Sequence, residues 1–285
     1  MGKRCIIYVF SGTGNTLFIA KQYAAMLSYE TDICNIGGKD VKYPSPDDYD
    51  AAGIGYPVHA FNAPYIVRES ARMLRTQKHI PLFIFHTGGE GLSFNDSSSF
   101  AIRGILRRNG FDILSEEHYV MPYNMIFRHS DAMVKHMVTK AAGIVKNHAR
   151  KIEDEEKEKM KRMPLRHLIS LILRIEWIYA HLQGRFMKAD DRCTSCGLCA
   201  ARCPVGNIEM VNGRPHFGTK CVLCVRCSFS CPHNAISIGL LNGWKVNGDY
   251  DIDRIMKDET IPAEIPLDKL SVLYRGYYRK HSEKE

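Results

Sequence analysis

The last third of the chain holds eight cysteines in two runs of one spacing, and no other feature restricts the fold as much. Cys193, Cys196, Cys199 and Cys203 precede Pro204, and Cys221, Cys224, Cys227 and Cys231 precede Pro232. Both runs read C-x2-C-x2-C-x3-C-P. Three thiolates at this interval wrap one corner of a cubane iron–sulfur core, and the fourth ligand comes from elsewhere. Zinc takes two Cys pairs or added histidines and has no use for a third Cys at the same interval. A disulfide framework does not suit eight crowded thiols in a chain whose N-terminus carries no secretory pattern. The spacing assigns all eight to two [4Fe–4S] clusters, centres that exchange single electrons.

The other end carries a second signal. Residues 4–10 are apolar and β-branched or aromatic, so they read as a short strand. Ser11, Gly12, Thr13, Gly14, Asn15 and Thr16 follow, and then Leu17, Ala20, Tyr23, Ala24 and Leu27 at helical intervals. A strand, a Gly/Thr/Asn loop and a helix N-terminus together make a phosphate cradle of backbone N–H groups, hydroxyls and a favourable helix dipole. No Lys follows the second Gly and no third Gly completes a dinucleotide fingerprint, so neither nucleotide motif applies.

Strands near 32–36, 52–58, 81–86 and 112–120 alternate with helices near 64–74 and 98–109. Such alternation with apolar strands implies a parallel sheet covered on both faces. The loop 11–16, at the first strand–helix junction, resembles the T-x-T-G-N-T loop of flavodoxins with Ser11 in place of the first Thr. The resemblance spans roughly the first 130 residues. It implies FMN, held by three loops at the carboxyl ends of the strands. These are residues 11–16; Pro57, Val58, His59, Ala60, Phe61 and Asn62; and Thr87, Gly88, Gly89 and Gly91. Flavodoxins usually place in the middle loop a Gly whose peptide flips toward reduced N5, and no Gly occurs here between Gly55 and Gly88. Phe61, Tyr56 and His59 are candidate neighbours of the flavin ring; plain packing explains them equally well.

As a whole the chain resembles a family of anaerobe proteins that fuse a flavodoxin-like domain to a two-cluster bacterial ferredoxin domain. The loop 11–16, the segment Met121-Pro122-Tyr123-Asn124-Met125 and both cysteine runs carry that resemblance. In two-cluster ferredoxins the fourth Cys of each run ligates the other cluster. The resemblance thus implies one cluster on Cys193, Cys196, Cys199 and Cys231, and a second on Cys221, Cys224, Cys227 and Cys203. The expected architecture is α/β: a flavodoxin-like doubly wound parallel sheet over residues 1–163, a helical linker over 164–186, a small α+β bacterial ferredoxin-like domain over 187–240, and a tail over 241–285 packed back on the body. Within the ferredoxin part, Asn212-Gly213 is a hairpin turn signal.

The formal charge of +8 would suggest nucleic acid, but it counts every Cys as neutral. Each oxidised cluster with four thiolates contributes about −2, and the FMN phosphate about −2 more, which brings the holoprotein close to neutral. No nucleic-acid signature accompanies the charge, so no nucleic-acid partner is expected. Cys5 and Cys34 lie in apolar stretches and read as core thiols. The expected location is cytoplasmic.

Segment 164–182 is apolar but carries Arg166, His167, Arg174 and Glu176, which makes it a poor spanning helix. It is expected to pack between the two domains, with an interfacial membrane contact as the alternative. The charged run 146–162 reads as a solvated continuation of the preceding helix.

Clusters pass one electron each, while flavin takes one or two. Two functions remain open. One is an electron carrier between protein redox partners, such as a ferredoxin or a low-potential oxidoreductase. The other is an FMN-dependent reductase of a quinone, nitro compound or flavin. An open flavin edge would favour the carrier; a pocket walled with acids or amides would favour the enzyme. Loop 87–100, with Glu90, Asn95 and Asp96, is long enough to form such a wall.

Overall fold

The computed structural model describes residues 2–38, 41–91, 93–158, 164–246 and 248–282. The first half alternates β1 (Arg4–Val9), α1 (Asn15–Met26), β2 (Glu30–Asn35), β3 (Ala51–Pro57), α2 (Tyr65–Met73), β4 (Pro81–Gly88), α3 (Phe100–Arg108), β5 (Asp112–Val120) and α4 (Asp131–Glu153). The strands pair in parallel in the order β2-β1-β3-β4-β5. That order places a switch point between β1 and β3, where a ligand crevice opens at the carboxyl ends.

Continuous apolar strands follow from burial on both faces. Ile6, Ile7, Tyr8 and Val9 of β1 are all fully buried. Ile7 and Val9 pack with α1 and α4 on one side, while Ile6 and Tyr8 pack with α2 and α3 on the other. A buried polar network ties the first layer to the sheet. Tyr23 bonds Tyr119 at 2.7 Å and also the His148 ring, whose Nε2 meets Ser115 at 2.7 Å. The Ser130 hydroxyl caps α4 by accepting the Met133 N–H at 3.3 Å.

The charged run keeps its helical expectation as far as Glu153, and its residues 159–162 lie outside the described residues. After Glu153 the chain leaves α4, and the Glu158 N–H bonds the Leu114 carbonyl at 2.8 Å. Lys157 pairs with Asp112 at 2.5 Å, so the run doubles back along β5 because opposite charges wait there.

The second half contains α5 (Pro164–Ile172), α6 (Ile175–Gly184), β6 (Lys188–Ala189), α7 (Leu198–Ala201), β7 (Ile208–Val211), β8 (Arg214–Phe217), α8 (Arg226–Phe229), β9 (Ile236–Ser237), α9 (Ile252–Lys257) and α10 (Val272–Ser282). The linker is two helices rather than one, broken at residues 173–174. β7 and β8 form a hairpin across Asn212 and Gly213, whose φ values of 49° and 76° give the left-handed pair that such a turn needs.

The two cysteine runs share one backbone. Left-handed residues occur at Ser195, Gly197 and Gly206 in the first run and at Leu223, Val225 and Asn234 in the second. Each pair is separated by the same interval as the runs. Reversing the backbone at these points curls the C-x2-C-x2-C loop so that successive thiols face inward. Val225 adopts this conformation despite its branched Cβ, at a cost of about 1–2 kcal/mol.

The segment after β9 returns to the first half. Tyr250, Ile255, Leu270, Tyr274, Tyr277 and Tyr278 join the core beneath α4. The Tyr277 hydroxyl donates to the His118 carbonyl at 2.8 Å, and Lys135 donates to the Asp258 carbonyl at 2.7 Å.

Candidate cofactor sites

A cavity of about 540 Å³ opens at the carboxyl ends of β1, β3, β4 and β5. Its size lies within the range of small-molecule sites. Ser11, Gly12, Thr13, Asn15 and Thr16 form its floor, Pro57 through Phe61 one flank, and Thr87, Gly88 and Gly89 the other. Three expected residues stand outside the lining. Gly14 is the N-cap of α1, at φ 105°, and donates its N–H to the Ser11 hydroxyl at 3.2 Å. Asn62 is buried behind its loop, and Gly91 lies against Tyr277 and Leu273 of the tail. Tyr56 is a core residue, stacked on His86 at 5.7 Å and bonded to Ser98.

The loop 11–16 is tied to the segment after β5. Asn15 Nδ2 donates to the Pro122 carbonyl at 2.8 Å, and Asn124 Nδ2 donates to Thr13 Oγ1 at 3.2 Å. Thr16 and Thr87 hydroxyls meet at 2.8 Å and join the first loop to the third. The first turn of α1 contains no acidic residue, so nothing opposes an anion at its positive end.

The middle loop solves without glycine the turn that flavodoxins build around one. His59 and Asn62 exchange two backbone hydrogen bonds, and Ala60 and Phe61 both take left-handed φ, 43° and 59°. Two strained L-residues in succession survive only under external hold. Asn62 supplies it: Nδ2 donates to the Ala60 carbonyl at 3.0 Å and to the Ser170 carbonyl at 2.8 Å, while Oδ1 accepts the Ser170 hydroxyl at 2.7 Å.

Other walls come from residues that the sequence did not single out for this site. Glu176 of α6, Leu223 between two cysteines, Leu241, Trp244 and Ile126 all line the cavity. The Ile126 N–H bonds the Trp244 carbonyl at 2.6 Å, which draws that part of the wall together. The expected wall in loop 87–100 is supplied by Glu90 and Asn95. Asn95 Nδ2 donates to Glu90 at 2.6 Å, and the Tyr123 hydroxyl donates to the same carboxylate at 3.1 Å. Burial pushes Glu176 up to about 7 and His59 down to about 4, so the two are uncharged near pH 6 despite their 3.9 Å approach. Beneath the third loop, burial and the neighbouring His86 hold His118 down at about 3.

These features fit FMN. An anion cradle adjoins apolar walls from Val58, Met121, Leu223 and Trp244. Asn95 Oδ1 is buried without a partner among the described residues, and a ligand N–H would satisfy it.

The thiols gather in crossed sets. Cys203, Cys221, Cys224 and Cys227 surround one small cavity, whereas Cys193, Cys196, Cys199 and Cys231 surround another. In each run the fourth sulfur accepts a backbone N–H four residues on, Cys203 from Asn207 at 3.2 Å and Cys231 from Ala235 at 3.4 Å. Leu223 N–H points to Cys221 Sγ at 3.4 Å. N–H groups directed at sulfur stabilise ligating thiolates. Burial, with the neighbouring Cys224 and Cys203, pushes the Cys221 thiol up to about 12. Cys5 is fully buried in β1, and Cys34 is half-buried on β2.

The two halves join at the loop 11–16. Arg226 donates to the Gly12 carbonyl at 3.2 Å and to the Ser11 carbonyl, and Gly38 N–H bonds the Pro204 carbonyl at 2.7 Å. Gly12 has to be glycine here, because a Cβ would sit 2.5 Å from the Cys224 carbonyl oxygen. Leu223 lines both the large cavity and the Cys221-containing one, and Cys227 lines both cysteine cavities. The three sites therefore form a row.

Residues 189–209, which contain the first cysteine run, match the family model described as 4Fe-4S binding domain. No curated protein matches the chain. Among solved structures, oxidised flavodoxin 2 from Bacillus cereus is similar at 13% identity, covering 53% of this chain and 99% of its own, with a TM-score of 0.38. A flavodoxin from the domain Archaea gives 13% identity, 52% and 99% coverage and a TM-score of 0.33. A flavoprotein in complex with FMN from Lactobacillus acidophilus NCFM gives 11%, 41%, 93% and 0.33. The strand order and the matched module together define the chain as a flavodoxin-like domain fused to a ferredoxin-like 4Fe–4S domain.

Proposed function

We propose that this protein is an iron–sulfur flavoprotein that relays electrons between protein redox partners and FMN through two [4Fe–4S] clusters. The row of sites carries the reading: Leu223 is shared by the FMN cavity and the second cluster's cavity, and Cys227 by the two cluster cavities. When bound, the clusters supply one-electron steps and FMN a one- or two-electron store. The protein fixes their order. Cys224 is buried at the junction, whereas Cys196 is exposed, so a partner docks at the first cluster and the second serves as the inner relay. Arg226 and Gly12 keep that relay against the phosphate loop. The sequence carries no dinucleotide motif, which supports protein partners rather than NAD(P)H as the electron source. Cofactor content after anaerobic purification tests the reading. The expected result is about eight irons and one FMN per chain; zinc in place of iron would overturn it.

A second reading, reduction of a small molecule at FMN, is favoured by one observation. The cavity is walled, and its wall includes both a carboxyl poised near neutrality, Glu176, and the acid–amide pair Glu90 and Asn95. A group with that pKa can give a proton to a reduced substrate.

A further inference from the structure

The linker helices are amphipathic in the wrong sense for a protein in water. Their inward side chains are polar. Ser170 is fully buried on Asn62, Gln183 is fully buried and donates to the Ile238 carbonyl, and Glu176 enters the cavity wall. Their outward side chains are apolar: Leu165, Leu168, Ile172, Ile175, Ile178 and Phe186 are each more than half exposed. A surface helix normally turns such a stripe toward the core, and single exposed leucines are ordinary while a contiguous row is not. The polar groups cannot rotate outward without stranding Asn62 and the Ile238 carbonyl, so the inversion is locked by hydrogen bonds.

We propose that this face lies on a membrane surface with anionic headgroups. Two observations select that occupant. The first is charge: over residues 164–188 the sequence holds four basic residues, of which Arg185 and Lys188 are exposed, and one acid, Glu176, which faces the cavity instead of the apolar row. A second copy of the same face would bring these like charges together, whereas acidic headgroups neutralise them. The second is length. No described helix is long and apolar enough to cross a bilayer, and the break at residues 173–174 leaves two short helices. Short helices with apolar rows and basic flanks lie in the interface rather than spanning it. Ile175 and Ile178 share α6 with Glu176, so the contact sits directly behind the cavity wall.

Co-sedimentation of the holoprotein with vesicles tests this. Binding is expected to phosphatidylcholine vesicles containing phosphatidylserine, to weaken at high salt, and to be much poorer on phosphatidylcholine alone. The Ile175→Gln/Ile178→Gln variant should bind roughly tenfold more weakly or worse. Its iron and flavin content should be unchanged, because neither side chain packs inward. Arg185→Glu/Lys188→Glu should lose the preference for phosphatidylserine. Absence of binding to phosphatidylserine vesicles, or equal binding by the isoleucine variant, overturns the proposal. A concentration-dependent dimer that vanishes in the isoleucine variant would assign the face to a second copy and overturn it as well.

Discussion

Arg226, one residue before the ligand Cys227, donates its Nε–H to the Gly12 carbonyl at 3.2 Å across the junction of the two halves. A single side chain thus anchors the inner cluster loop to the phosphate loop. It also donates to the Ser11 and Arg202 carbonyls, so its charge is spent on three backbone oxygens.

Replacing it should loosen that junction. Hydrogen bonds from a charged donor are worth about 1.5–3 kcal/mol each, and Arg226→Ala is expected to weaken FMN affinity at least tenfold while both clusters remain. Flavin release followed by fluorescence, beside an iron assay, checks it. Unchanged flavin affinity would show that the junction does not support the cradle.

Cys203→Ser should damage the cluster built on Cys221, Cys224 and Cys227, because all four thiols face one cavity. Iron content should fall toward about half, with the cluster on Cys193, Cys196 and Cys199 intact by electron paramagnetic resonance. Loss confined to that cluster instead would mean the ligands do not cross.

Asn62→Ala removes the clamp on two left-handed residues and leaves the Ser170 hydroxyl and carbonyl short of partners. The expected cost is about 2–3 kcal/mol in denaturant midpoints, together with weaker flavin binding. Asn62→Asp should recover part of this through the Ser170 hydroxyl.

Glu176 gives a pH signature. Burial raises its carboxyl to about 7 from the ordinary 4.5, so near neutral pH the folded state holds a proton that the unfolded state has already released. Its contribution is fully present below pH 4.5 and is lost as pH rises through about 7. Glu176→Gln should therefore become more stable relative to the wild type over that window, by up to about 3 kcal/mol at its upper end. If turnover of a quinone were seen, the same variant should remove its decline on the alkaline side. Parallel stability curves for the two proteins would show that Glu176 is not protonated in the folded state.

Much of this was legible because the chemistry is local. Cysteine spacing, the loop 11–16 and the apolar β1 each encode their structure within a few residues, and the Asn212-Gly213 turn does likewise. The linker was legible only in part: it is helical and bonds both halves through Ser170 and Gln183, as expected, but the direction of its apolar face was not. Its apolar period marks a face but cannot say which way the face points; that depended on Asn62 and the Ile238 carbonyl, distant groups that claim Ser170 and Gln183. Glu176 entered the cavity wall for the same reason. The left-handed pair was half legible: without a glycine the loop pointed to a strained turn at Ala60 or Asn62, and Ala60 takes it, but Phe61 beside it and the support from α5 were not visible.

Anaerobic stopped-flow spectroscopy tests most directly whether electrons reach the flavin through the clusters. Mixed with a reduced low-potential ferredoxin, the holoprotein should lose cluster and flavin absorbance together, while NADH or NADPH alone should leave the flavin oxidised. Rapid flavin bleaching by NADPH without any partner protein would contradict the account.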